Sequence, residues 1–139
     1  MRRLIPGLLM LGLLATACGD DTPTTPTTPT TPTTPPITEP LFTGTLKTNG
    51  AATYPFTSTA GGTITATLTT LAPDATVGIG LSIGTWTGSA CQIVIANDNA
   101  AQAAVITGTV TAAASLCVRV YDVGKLTAPA DFTVTIVHP

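Results

Sequence analysis

Charge is scarce in this 139-residue chain. Only 9% of its residues are Asp, Glu, Lys or Arg, against roughly a quarter in an ordinary globular protein. Five basic residues face seven acidic ones, for a formal net charge of −2. Two of the five are Arg2 and Arg3, so no basic patch forms and nucleic acid is excluded as a partner. Histidine occurs once, as His138. Acid–base catalysis needs a group poised near neutrality, and a single penultimate histidine reads as a solvated tail side chain. After residue 41 the carboxylates are Asp74, Asp98, Asp122 and Asp131, each in or beside a turn signal. Asp is common there because it hydrogen-bonds nearby backbone. There is no glycine-rich phosphate cradle leading into a helix, and no Cys/His metal spacing. No catalytic residue, metal site or cofactor is assigned, and the chain is read as not an enzyme.

Long hydrophobic runs are also missing. The longest, Leu4–Leu14, has 11 residues, against roughly 20 for a transmembrane helix. It follows Arg2-Arg3 and precedes small residues, the order of a cleaved secretory signal. A retained span is the alternative. Leu14-Ala15-Thr16-Ala17-Cys18-Gly19 resembles the lipobox of bacterial lipoproteins, with Ala15 where that motif usually carries Leu. The resemblance implies cleavage after residue 17, lipidation of Cys18 and a membrane partner through its acyl chains, since stable anchoring takes at least two lipid signals. Secretion with a different cleavage site is the alternative. The localisation read from it is the bacterial cell envelope, lipid-anchored. Gly19 after the cysteine favours the outer membrane or cell surface under a Gram-negative sorting rule.

Residues 18–40 read as a linker. Pro23, Pro26, Pro29, Pro32 and Pro35 recur every third residue within Thr-Thr-Pro repeats. Proline locks φ and pushes its predecessor extended, and a period of three matches polyproline II. Such a tract cannot bury enough surface to fold. At ~3.1 Å per residue it is a semi-rigid spacer of up to roughly 65 Å. A ligand for proline-binding domains and a Thr O-glycosylation tract are the alternatives.

Residues 41–139 are long enough for one domain with a single core. Their hydrophobic period is two. Ile64, Ala66 and Leu68 share one face, as do Val77, Ile79, Leu81 and Ile83, then Leu116, Val118 and Val120, then Phe132, Val134 and Ile136. Thr and Ser take the outward positions that charged residues usually hold. Thr48-Asn49-Gly50-Ala51 between strand-like runs predicts a hairpin, because both central residues of a type I′ turn need φ > 0. Cys91–Ala96 reads as a short strand ended by Asn97-Asp98-Asn99. Asn99–Ala104 is the one helical candidate, and it is short. The expectation is an all-β sandwich of about eight strands.

The run from Tyr54 to Ile64, with its Tyr54-Pro55-Phe56 and Ala60-Gly61-Gly62, resembles the opening of bacterial pre-peptidase C-terminal domains. Pro73–Ile79 is similar to their central segment. Cys117-Val118-Arg119-Val120-Tyr121 followed by Phe132–Ile136 is similar to their closing strand pair. The chain departs from that pattern at Ser115-Leu116, where aromatics are favoured, at Cys117, and in lacking a peptidase. The resemblance implies a jelly-roll-like sandwich with a non-catalytic accessory role, and in some members binding of matrix polymers or calcium.

Three further expectations concern particular residues. With Cys18 lipidated, Cys91 and Cys117 remain, an even number in an exported chain, and predict a disulfide; two buried free thiols are the alternative. Trp86, the only tryptophan, lies in glycine-flanked Gly84–Ser89. It reads as a loop aromatic available to a polysaccharide or an extracellular protein, or else as a lid on the core. Asn97, Asp98 and Asn99, with Asp122, offer oxygens to calcium, against ordinary turn roles. The function read from all this is a non-catalytic envelope lipoprotein presenting a binding module on a stalk. The alternative is a purely structural envelope-assembly subunit without a soluble ligand.

Overall fold

A computed structural model describes residues 35–139. The signal segment, Cys18 and most of the Thr-Thr-Pro tract lie outside the described residues. Eight strands are present among the described residues: β1 (Ile37–Leu46), β2 (Ala51–Ser58), β3 (Gly62–Ala72), β4 (Ile79–Trp86), β5 (Cys91–Ala100), β6 (Val105–Val110), β7 (Ala114–Tyr121) and β8 (Ala130–His138). No helix occurs among the described residues, so none there is long and apolar enough to cross a membrane. β1 opens at Ile37, ahead of the boundary at residue 41 read from the sequence. Asn99–Ala104 is the end of β5 and a turn.

The strands form two four-stranded antiparallel sheets in the orders β1-β8-β3-β6 and β2-β7-β4-β5. Only β4 and β5 are both consecutive and paired; every other connection crosses from one sheet to the other. The all-β sandwich expected from the period of two is therefore present.

The Asn49-Gly50 hairpin is not. β1 pairs with β8 and β2 with β7, so the two strands flanking this turn belong to different sheets. The turn closes one residue early, with Gly50 N–H donating to Lys47 O at 2.9 Å. Only Asn49 there has a positive φ, 55°, whereas a type I′ hairpin needs two in succession. The chain is instead held at a corner: Asn49 N–H donates to Asp122 Oδ2 at 2.8 Å, and Asp122 N–H to Gly50 O at 2.9 Å.

Alternation decides which side chains are inside. Ile64, Ala66 and Leu68 of β3, Ile79, Leu81 and Ile83 of β4, Leu116, Val118 and Val120 of β7, and Phe132, Val134 and Ile136 of β8 are all buried. Burying each large aliphatic side chain is worth roughly 1.5–3 kcal/mol. Val77 is only partly buried, because it lies in the turn before β4. His138 departs from expectation. It continues the inward period of β8, is 1% exposed, and its ring centroid lies 5.3 Å from that of Phe56.

The outward face of β1-β8-β3-β6 is almost uniformly β-branched. Thr43 stands opposite Thr133, Thr67 opposite Thr135, Thr65 opposite Thr107 and Thr63 opposite Thr109. Threonine suits both the pleat and the solvent, which is how so lightly charged a domain keeps a polar exterior.

Candidate functional site

The outward face of β2-β7-β4-β5 is different. β4 contributes only small residues there, Gly80, Ser82 and Gly84, before ending in Trp86. Its neighbours lean over that trough. The Tyr121 ring of β7 covers Gly80, filling the space a β-carbon would take. Its hydroxyl donates to Asp98 Oδ1 on β5. Tyr121 therefore spans three strands. The Arg119 guanidinium sits 5.6 Å from the Tyr121 ring centroid, within cation–π range. Ser82 is fully buried beside them and donates to Arg119 O at 3.2 Å.

Burial, then the hydrogen bond to Asp98 and its negative charge, push the Tyr121 phenol up to about 12; Arg119 acts the other way. A phenol held there keeps its proton in neutral water. It is a stacking and hydrogen-bonding group rather than an acid or base.

At the other end of the face, Cys91 and Cys117 are joined in a disulfide with Cα atoms 5.8 Å apart. The expected bridge is present, and its setting is unusual. Cys91 is on β5 and Cys117 on β7, with β4 running between those strands. The bridge can close because β5 begins above the outer face of β4. The Gln92 carbonyl occupies the space a β-carbon on Gly84 would need. The β4–β5 register shifts at that place, between Ile83 and Gly84. Glycine at 84 lets the strands cross this closely.

Trp86 lies beside this crossing. It is not in the loop expected for it but is the last residue of β4, opposite Cys91 and half-buried. The hairpin turn comes after it, at residues 87–90, closed by Thr87 N–H donating to Ala90 O at 3.0 Å. Trp86, the disulfide, Arg119 and Tyr121 thus share one outward face, which is the candidate site.

The candidate calcium oxygens are engaged elsewhere. β5 runs through Asn97-Asp98-Asn99 to Ala100 instead of ending before them. Asn97 Oδ1 accepts Asn99 N–H at 2.9 Å, Asp98 accepts Tyr121, and Asn99 Oδ1 accepts the Lys125 ammonium at 2.6 Å. A lysine at that oxygen opposes a second cation. Asp122 organises a loop: beyond Asn49, its Oδ1 accepts N–H groups of Gly124, Lys125 and Leu126 at 2.9, 3.0 and 3.1 Å. These bonds hold its carboxyl below the usual range. Among the described residues no three His, Cys, Asp or Glu side chains gather as metal ligands.

Sequence reasoning missed the Tyr121–Asp98 pair. Its signal was Gly80 and Ser82, which leave a trough on β4 that a large neighbour must fill. No protein-family model matches the chain, and no curated protein matches it.

Proposed function

We propose that this chain is a lipid-anchored lipoprotein of the bacterial cell envelope, and that its sandwich is a non-catalytic binding module held away from the membrane on a Thr/Pro stalk. One observation carries the reading. Basic, apolar and small residues lead to Cys18, a proline repeat follows, and that repeat runs directly into an all-β sandwich. A chain in that order is an anchor, a spacer and a head.

The strand orders β1-β8-β3-β6 and β2-β7-β4-β5 are those of a jelly roll. They agree with the resemblance to pre-peptidase C-terminal domains and with an accessory role. The ligand class is a neutral polysaccharide or an extracellular protein surface. Trp86, Tyr121 and Arg119 offer aromatic and guanidinium contacts, the residue types that dominate binding surfaces, on a domain with little other charge.

Two experiments on the full chain test the two halves. In a bacterial host, labelled palmitate enters the wild-type chain, and Cys18→Ser abolishes labelling and releases the protein from the membrane fraction. Labelling that persists in Cys18→Ser overturns the anchor. On glycan and matrix arrays the chain is retained, and Trp86→Ala reduces retention with its thermal midpoint unchanged. Absence of retention on every surface favours the structural subunit instead.

A further inference from the structure

Three glycines inside strands are covered by a neighbour. The Tyr54 hydroxyl at Gly44, the Tyr121 ring at Gly80 and the Gln92 carbonyl at Gly84 take the place of a β-carbon. Gly108 differs. It is buried on β6, alternating with the inward residues Ile106 and Val110. Beyond its chain neighbours, only Ile95 Cδ1, at 3.0 Å, comes within 4 Å of its β-carbon position. Its φ is not positive, so the backbone accepts an L side chain there. The space is left by the residue and is not required by the chain.

A cavity of about 160 Å³ opens at that place, entering between β5 and β6. Ile64, which pairs with Gly108, lines it with Ile83, Val110 and Leu116. Val94, 70% exposed, stands at its rim. The β4–β5 register skips Val94, between Ile93 and Ile95. That bulge turns β5 over the outer face of β4 and leaves the gap between the sheets uncovered at this end.

The lining offers water little. It is aliphatic except for Gly and for Thr85 and Thr109, which are exposed, and none of it is charged. Among the described residues no buried side-chain nitrogen or oxygen lacks a hydrogen-bond partner. A trapped water needs roughly two to four polar partners, whereas apolar cavities of roughly 150 Å³ stay dry and take up benzene or xenon. Left empty, such a hole costs stability in proportion to its volume. We propose that this cavity is a binding site for a small uncharged hydrocarbon, an aromatic ring or branched aliphatic group of about six carbons. It is separate from the outward face that carries Trp86 and Tyr121, and does not depend on that face binding anything. A lipid acyl chain is too long for it and would leave most of its length in water. The bulge at Val94 keeps a strand of another chain from pairing regularly along this edge.

Methyl NMR of the full chain in lipid nanodiscs tests the site, with benzene as the probe. Benzene shifts the methyl signals of Ile64, Ile83, Ile95, Val110 and Leu116 saturably, and leaves Leu46 and Ile79, buried elsewhere in the core, in place. Benzenesulfonate, the same ring with a charge, gives no saturable shift. Gly108→Val puts a side chain into the hole. It raises the apparent dissociation constant for benzene at least about tenfold and keeps or raises the thermal midpoint. Gly108→Ala, the smaller filling, gives an intermediate loss, and carries the comparison alone if the valine variant does not fold. Shifts that are uniform or never saturate, saturable shifts that neither variant weakens, or equal binding of benzenesulfonate overturn the proposal. So do cross-peaks from these methyl groups to lipid chains, or to a second protein molecule, before benzene is added.

Discussion

The backbone carbonyl of Gln92 stands where the side chain of residue 84 would be, and Gly84 is what lets it. The two strands cross there instead of lying side by side, and this crossing brings Cys91 to Cys117 over β4. Gly84→Ala forces the β5 backbone away from β4. The expected cost is about 1–3 kcal/mol, the range for overpacking a filled space. Urea denaturation measures it, and a change within experimental error means that β5 does not cross β4 as described.

The bridge itself closes a sequence separation of 26 residues. In the chain-entropy model a loop of that size contributes roughly 3–4 kcal/mol. Paired Cys91→Ala and Cys117→Ala substitutions, or reduction, lower the denaturation midpoint accordingly. Intact mass before and after alkylation under native, unreduced conditions gives no free thiol at either position.

Asp122 ties the β1–β2 corner to the loop after β7 through four backbone N–H groups. Its carboxyl is held below the usual range by those bonds. A depressed acid stabilises the fold above its unfolded value, and that stabilisation is lost as pH falls through the folded value. Wild type is therefore more stable than Asp122→Asn at neutral pH, and the difference narrows as the solution is acidified. Denaturation of both proteins from about pH 7 to pH 2 shows the convergence; a constant gap contradicts it.

The chain has two tyrosines, and both are harder to ionise than free phenol. Burial raises Tyr54, and burial with Asp98 raises Tyr121 to about 12. Ultraviolet titration of the folded protein shows little tyrosinate at the ordinary value of about 10. For an acid raised in the folded state the unfolded chain loses its proton first. Stability therefore falls as pH climbs from the unfolded value towards the folded one. Tyr121→Phe removes most of that alkaline slope.

The inward residues were legible in the sequence because a period of two reports burial directly. Ile64, Ala66 and Leu68 are inside for the reason their spacing suggested, and so are Leu116, Val118 and Val120. His138 was legible by the same rule, as the next member of the series Phe132, Val134, Ile136. Its polarity and its place beside the last residue hid it. The Asn49-Gly50 turn shows where local chemistry stops. It marks a reversal of the chain, but the next strand joins the other sheet beside β7, and the corner is held by Asp122, more than seventy residues away. The same holds for Trp86 and for Asn97-Asp98-Asn99. Polar and glycine-rich stretches resemble loops, yet β4 and β5 continue through them, because paired edges and a disulfide supply what propensity lacks. The candidate face was half legible. Trp86 and both cysteines stood out individually, but their gathering with Arg119 and Tyr121 needed the strand order.

β8 is hydrogen-bonded to β1 on one side and to β3 on the other, although it is the last of the described strands to be synthesised. A ribosome releases β1 and β3 early, and neither has its interior neighbour until residues 130–138 have been made. The first sheet cannot close in halves, and pairings this distant in sequence form slowly. Until that last described strand is made, β1 has no partner in its sheet and nothing joins it to β3, so the sandwich can close only as its final strand arrives.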